Sequence, residues 1–362
     1  MTLPVRFPVV STENRDRRGF ASDNEAGGHP AVLAALVDAN RGHQRAYGGD
    51  DHTARLGEVL KGHFGPAAAS FPVLTGTGAN VLAVQAMSPP YGAVICAGSA
   101  HLATSEGTAP ESVAGLHVIG VPTPDGRLTP DLVRRHATGI GHINAAQPSV
   151  VSVSQVTECG TTYTPEQLKA LADCAHELGL VLHVDGARLA NAAAYLGVDL
   201  RTLITEPGVD IVSLGGTKNG LLFGEAVVVP RGDDHPAAVK ALPYLQKRAT
   251  QLLSKMRFVS AQLVALYEGD LWLRLASHAN AMAARLADGL TGLDGVRIGY
   301  PVESNAVFVA LAEPVAARVR QAFAFHDWED DVRRWMCSFD TTPDDVDGMI
   351  DAVKVATKQE VG

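Results

Sequence analysis

The chain is short of cysteine, of long apolar runs and of positive charge, and each shortage removes a class of protein. Cysteine occurs only 4 times in 362 residues, at Cys96, Cys159, Cys174 and Cys337. These positions are far apart and none forms a paired C-x-x-C spacing, which argues against a disulfide scaffold and a thiolate metal cluster and for reduced thiols, with no metal expected. No apolar stretch approaches the ~18 uninterrupted residues of a bilayer span. The first ten residues hold Pro4, Arg6 and Pro8 where a secretory signal needs its apolar core. A soluble, cytoplasmic chain with no membrane partner is expected. Lys and Arg total 30 against 39 Asp and Glu, a net charge of −9, which repels polyanions and makes nucleic acid an unsuitable partner. Internal repeats and low-complexity tracts are also missing.

What is present is an alternation of short apolar runs with amphipathic stretches, the pattern of an α/β domain around a mostly parallel sheet. A length of 362 residues suits two domains. Thr164-Pro165-Glu166-Gln167 has the form of a capping box with proline at the first helical position. Leu168, Leu171, Ala172, Ala175 and Leu178 then share one face, and Gly179 supplies a left-handed stop. Residues 180–184 read as a strand ending at Asp185, 187–196 as a helix, 209–214 as a strand running into Gly215-Gly216-Thr217-Lys218, and 226–229 as a further strand. Helix is expected from about Tyr244 through Leu266 and again over 272–290, followed by short strands at 296–298 and 307–311 and a last helix from Pro343. The change of texture sets expected boundaries: an arm over 1–45, a large α/β domain over 46–265 and a smaller C-terminal α+β domain over 266–362.

Ligands of open α/β sheets sit beyond the C-terminal ends of the strands, where Asp185 and Lys218 both fall. The loop Thr75-Gly76-Thr77-Gly78-Ala79-Asn80 opens an apolar helix and points backbone N–H groups at an anion; taken alone it is equally a tight turn. Val81 stands where a dinucleotide fingerprint needs its third glycine, and the Gly-Lys-Ser/Thr of a P-loop occurs nowhere. Lys218, among Gly215, Gly216 and Gly220, lies where the backbone approaches something closely, or else is a solvated lysine. Asp185 either faces a ligand or caps the next helix, Arg188 either binds an anion or pairs with Asp185 one turn away, and His101 either covers a ligand or is an ordinary loop histidine. Together these residues form the set that holds pyridoxal phosphate: an amine for its aldehyde, a carboxylate for its ring nitrogen, a cup for its phosphate and an imidazole over the ring.

In this ordered set the chain resembles the threonine aldolases, within the β-eliminating lyase group of fold-type-I pyridoxal phosphate enzymes. The likeness runs from Phe20-Ala21-Ser22-Asp23-Asn24 to near Asp340. The resemblance implies that Lys218 bonds the cofactor, that Asp185 partners its ring nitrogen, that Gly76 and Thr77 hold its phosphate and that His101 stacks on it. It implies that Ser22, Arg188 and Arg334 bind the substrate carboxylate, with Tyr47 beside them. It further implies a homo-oligomer, dimer or tetramer, with sites at the dimer interface and with Arg257 reaching the neighbouring subunit's phosphate region. Three departures stand out: the Tyr47-Gly48-Gly49-Asp50-Asp51-His52 segment is one residue longer than usual, Glu158 replaces a histidine common after the threonine, and Gly215-Gly216-Thr217 replaces a serine-rich run. The implied reaction is cleavage of threonine, allo-threonine or a related 3-hydroxy-2-amino acid to glycine and an aldehyde, with His101 or Glu158 as base. Competing expectations are a preference for bulky substrates such as phenylserine, a β-elimination or transamination on the same scaffold, and a noncatalytic cofactor-binding protein.

Overall fold

The computed structural model describes residues 18–358. Helices α1 (Pro30–Ala39) and α2 (Asp51–Phe64) precede strand β1 (Ala69–Val73). They are followed by α3 (Gly76–Ala86), β2 (Gly92–Ala97), the one-turn helices α4 (His101–Thr104) and α5 (Ala109–Ser112), β3 (His117–Val121), α6 (Pro130–His136) and β4 (Gln147–Ser154). Next come α7 (Pro165–Glu177), β5 (Val181–Gly186), α8 (Leu189–Leu196), β6 (Ile211–Leu214) and β7 (Glu225–Val229). Helices α9 (Pro236–Arg248), α10 (Arg257–Tyr267) and α11 (Leu271–Leu290) lead into β8 (Val296–Ile298), β9 (Ala306–Leu311), α12 (Glu313–Arg320), β10 (His326–Asp327), β11 (Val332–Met336) and α13 (Pro343–Lys358).

Helix starts follow their capping side chains. Asp50, Thr75, Thr129 and Thr164 each accept a first-turn N–H, and the Thr164–Gln167 capping box closes in both directions. Each such cap contributes about 1 kcal/mol. Gly179 takes φ +72° after α7, the left-handed stop that its position predicts.

The large sheet has seven strands in the order β1-β7-β6-β5-β4-β2-β3. Its pairs from β6 to β3 are parallel, while β7 runs antiparallel to both β1 and β6. Every residue of β2, β6 and β7 is buried, which is why these strands are almost wholly apolar, with Ser213 and Glu225 the polar residues among them. A second sheet of four antiparallel strands, β10-β11-β9-β8, carries its own core with Val307, Val309, Trp335 and Phe20 of the arm. Helix α11 joins the two cores. Leu271, Trp272, Leu275 and Ala276 pack into the first, while Ala283, Leu286 and Leu290 pack into the second. We propose the three-part division at residues 45/46 and 265/266 on this basis, with α11 shared between the cores.

Two local expectations change. The helix expected across 244–266 is interrupted between Arg248 and Arg257, with Thr250 at φ +61°. The break lets the Gln251 side chain fold onto the glycine loop, where its Oε1 accepts the Leu74 N–H at 3.1 Å and fills the space that a Cβ on Gly78 would need. No Gly or Pro punctuates residues 249–256, so the sequence carries no sign of it. Helix α8 begins at Leu189 rather than 187, because Asp185 Oδ1 takes the Ala187 N–H at 3.0 Å and Arg188 becomes the capping residue.

Candidate active site

A cleft of about 300 Å³ opens at the carboxyl edge of the large sheet, bounded on the other side by the small sheet. Ser22, Gly76, Thr77, His101, Glu158, Asp185, Arg188, Lys218 and Arg334 all line it. Tyr47 and Arg257 lie elsewhere. Tyr47 is exposed with the Lys247 ammonium 4.7 Å from its ring centroid, and Arg257 donates to the Gly42 carbonyl at 3.3 Å.

Asp185 is near the end of β5, where strand direction aims it at the cleft. Its Oδ2 accepts from Asn80 Nδ2 at 2.8 Å while Oδ1 accepts the Ala187 N–H, so the side chain lines the cleft and also holds the turn that precedes α8. Lys218 sits on a short 3₁₀ turn, Thr217–Asn219, after β6. The glycines before it permit close packing: a Cβ on Gly215 would strike the Ala187 backbone, and one on Gly216 would strike Leu221 and the Gly224 carbonyl. Glu225 Oε2 accepts the Gly216 N–H at 2.6 Å and the Tyr267 hydroxyl donates to the Gly215 carbonyl, pinning the loop from beneath. Burial pushes the Glu225 carboxyl up to about 7. The Lys218 ammonium makes no hydrogen bond or ion pair among the described residues. The neighbouring Arg188 charge, then burial, holds its pKa below the ordinary lysine range.

Arg188 does not pair with Asp185. Its Nε and Nη2 form a fork on Asp23, at 2.6 and 2.8 Å, and Asn305 Nδ2 supports the same carboxylate at 3.0 Å. Burial alone would raise the Asp23 carboxyl, but the Arg188 guanidinium outweighs it and holds it below the usual carboxylate range. Arg334, on β11, is different. Its Nη2 reaches the Ala21 carbonyl at 3.4 Å, and its buried Nε has no partner. Burial and the Arg188 charge lower its pKa. Ser22 accepts the Asn24 N–H at 3.1 Å and caps the short turn that carries Asp23.

His101 is the first residue of α4. Its N–H donates to Glu158 Oε1 at 2.8 Å, and its Nδ1 lies 2.8 Å from Glu106 Oε1. Glu158 Oε1 also accepts from Ser154 Oγ at 2.7 Å, whereas its buried Oε2 is unpartnered. Burial, aided by the Asp185 charge, raises the Glu158 carboxyl against these two donors.

The match to known proteins follows the same geometry. Residues 19–314 match the family profile described as beta-eliminating lyase. The chain belongs to the beta-eliminating lyase family. It is 42% identical over 325 residues to the low-specificity L-threonine aldolase of Pseudomonas aeruginosa, spanning 89% of this chain and 93% of that relative. It is 27% identical over 320 residues to the low-specificity L-threonine aldolase of Saccharomyces cerevisiae, with 85% and 76% covered. Among solved structures, the threonine aldolase of Leishmania major superposes with a TM-score of 0.85 at 28% identity, covering 94% of this chain and 98% of that one. The architecture of this beta-eliminating lyase family member is therefore the expected fold-type-I arrangement.

That fold family implies pyridoxal phosphate, and the donor set fits it. The first-turn N–H groups of α3 at Gly76 and Thr77 have no intrahelical acceptor, and Gly76 leaves open space where a side chain would stand. The Ser99 hydroxyl lines the cleft, buried without a partner. An unpaired amine and an oriented carboxylate complete the set.

Sequence reading missed Asp23, Asn80, Glu106 and Glu225 as members of the site. Asp23 and Asn80 stood inside quoted motifs, beside Ser22 and after the glycine loop. Glu106 and Glu225 are only 5 and 9 residues from His101 and Gly216, but these contacts close irregular turns and follow no helix or strand spacing, so the pattern carried no signal for them.

Proposed function

We propose that the chain cleaves L-threonine, L-allo-threonine and related 3-hydroxy-2-amino acids to glycine and an aldehyde, with pyridoxal 5′-phosphate held in the cleft. The observation that carries this reading is the unpaired Lys218 amine between Asp185 and Arg188, in a chain 42% identical to an enzyme named for that activity. Lys218 would bond the cofactor, Asp185 would face its ring nitrogen, and Gly76, Thr77 and Ser99 would receive its phosphate. When bound, the cofactor supplies an aldehyde that condenses with amines and a ring that takes up the electron pair released at Cα.

The remaining work belongs to side chains. Arg334, with its free Nε, and Ser22 hold the substrate carboxylate, which fixes the orientation of the bonds at Cα and so selects the one that breaks. Arg188, held by Asp23, keeps a fixed positive charge beside Lys218 and favours its neutral, nucleophilic form. His101 takes the β-hydroxyl proton as Cα–Cβ breaks, and Glu158 is the second group within the cleft able to hold it. The reading includes a cytoplasmic homo-oligomer in which a partner copy brings Tyr47 and Arg257 to the site, consistent with both lying outside the cleft of their own chain.

The test is to supply the cofactor, incubate with the four threonine stereoisomers and with phenylserine, and quantify products. Glycine with acetaldehyde or benzaldehyde supports the proposal. A keto acid with ammonia, or cofactor colour without any turnover, overturns it.

A further inference from the structure

We propose that Glu106 and Asn80 are positioning residues: Glu106 holds His101 in the tautomer with its proton on Nδ1 and its Nε2 lone pair toward the cleft, and the Asn80 carboxamide ties Glu106 to Asp185. The proposal rests on the reading of His101 as the proton carrier.

The contacts form one chain through the base of the site. His101 Nδ1 lies 2.8 Å from Glu106 Oε1, Asn80 Nδ2 donates to that same oxygen at 2.9 Å, and the other Nδ2 proton goes to Asp185 Oδ2 at 2.8 Å. Both residues line the cleft, but the Glu106 side chain is fully buried while the imidazole is 42% exposed, so the Nδ1 edge is spent on Glu106 and Nε2, which has no hydrogen-bond partner among the described residues, is the nitrogen left for a ligand. Chemistry fixes the direction of each bond. A flipped Asn80 would point its carbonyl oxygen at two carboxylates, so the amide nitrogen must face them and both of its protons are used. Burial alone would raise the Glu106 carboxyl, but donors from His101, Thr77 and Asn80 outweigh it and hold it below its usual range. Glu106 is therefore the anion and the shared proton belongs to Nδ1.

Free imidazole carries its proton mainly on Nε2, and a carboxylate on Nδ1 reverses that preference. The reversed tautomer leaves Nε2 unprotonated in the cleft, where a base is needed, and the same carboxylate stabilises the imidazolium once a proton arrives, as in other carboxylate–histidine pairs. The hydrogen bond to Glu106 raises the His101 pKa against burial. The other charged groups facing it are Asp185, which adds to the rise, Lys218, which opposes it, and Glu158, bound to its backbone N–H. Asn80 bridges two buried carboxylates that would otherwise repel, and its two amide protons keep both aimed.

The experiment begins with the unaltered holoenzyme. Histidine is labelled with ¹⁵N, the His101 ring signals are identified by their loss in His101→Gln, and their shifts report the tautomer. Neutral His101 protonated on Nδ1 supports the proposal; protonation on Nε2 overturns it without any appeal to turnover. In Glu106→Gln the His101 titration midpoint should fall by about one pH unit, a tenfold loss of proton affinity. The acid limb of kcat should move with it, and kcat should drop ~10–100-fold with KM within about twofold. Asn80→Ala should lower the Nδ1-protonated fraction and reduce kcat by less. A fall in kcat with the tautomer and acid limb unmoved would assign Glu106 and Asn80 a purely structural role and overturn the proposal. The expected tautomer in a protein that forms no glycine would instead overturn the aldol reading alone.

Discussion

The two walls of the cleft are built differently. On the large-sheet side, Asp185, Lys218 and the first turn of α3 stand next to strand ends, and their supports are dense: Asn80 on Asp185, Glu225 and Tyr267 on the lysine loop. On the small-sheet side, the wall is assembled from remote pieces, with Ser22 and Asp23 from the arm, Asn305 before β9 and Arg334 on β11. The first wall is organised before any ligand arrives. The second treats the two arginines of the cleft differently, for its Asp23 locks Arg188, which follows β5 of the large sheet, while its own Arg334 keeps a donor unspent. A fixed cation tunes its neighbours, and an unspent donor suits the proposed role of Arg334 in meeting an incoming carboxylate.

The contrast can be broken most directly at Lys218. Lys218→Ala should remove glycine formation by about 10³-fold or more, together with the visible absorbance that added pyridoxal phosphate acquires on the protein. A variant retaining both would leave the large-sheet wall without its proposed centre. Asp23→Ala strands the Arg188 guanidinium in a buried place, and urea denaturation should record a loss on the order of 3–5 kcal/mol.

The strand interior provides a pH test. His183 is fully buried between Ser152 Oγ at 2.9 Å and Ser213 Oγ at 3.0 Å, and burial pulls its pKa from 6.5 down to about 4. Because the folded value is the lower one, the fold resists protonation there. Stability is full above pH 6.5 and declines as pH falls toward 4, by about 3 kcal/mol. Urea midpoints at pH 7 and pH 4.5 should differ more for the wild type than for His183→Gln. The smallest effect is expected at Arg334. Arg334→Ala leaves no buried ion unpaired, so the denaturation midpoint should hardly move, while KM for the amino acid rises roughly ten- to hundredfold from the loss of ~1.5–3 kcal/mol. Unchanged substrate affinity would contradict its assignment as the carboxylate anchor.

The residues legible in the sequence share one property: their roles are set by neighbours along the chain. Thr164 and Gly179 announce the ends of α7, and Lys218 announces itself because the glycines around it have no use unless backbone approaches backbone, as Gly215 does against Ala187. Resemblance then supplied Ser22, Arg334 and a carboxylate-binding role for Arg188, and nine candidate positions in all line a single cleft. What stayed hidden were pairings across long intervals. Arg188 and Asp23 are 165 residues apart, Asn80 and Asp185 are 105 apart, and Gln251 reaches Leu74 over 177.

Local pattern determined where strands end and helices begin, because hydrogen-bond caps, apolar periodicity and glycine conformations act within a few residues. Tertiary structure decided which charge meets which. A buried carboxylate or guanidinium takes the partner that removes its desolvation cost, and that partner is fixed only when the two sheets have packed.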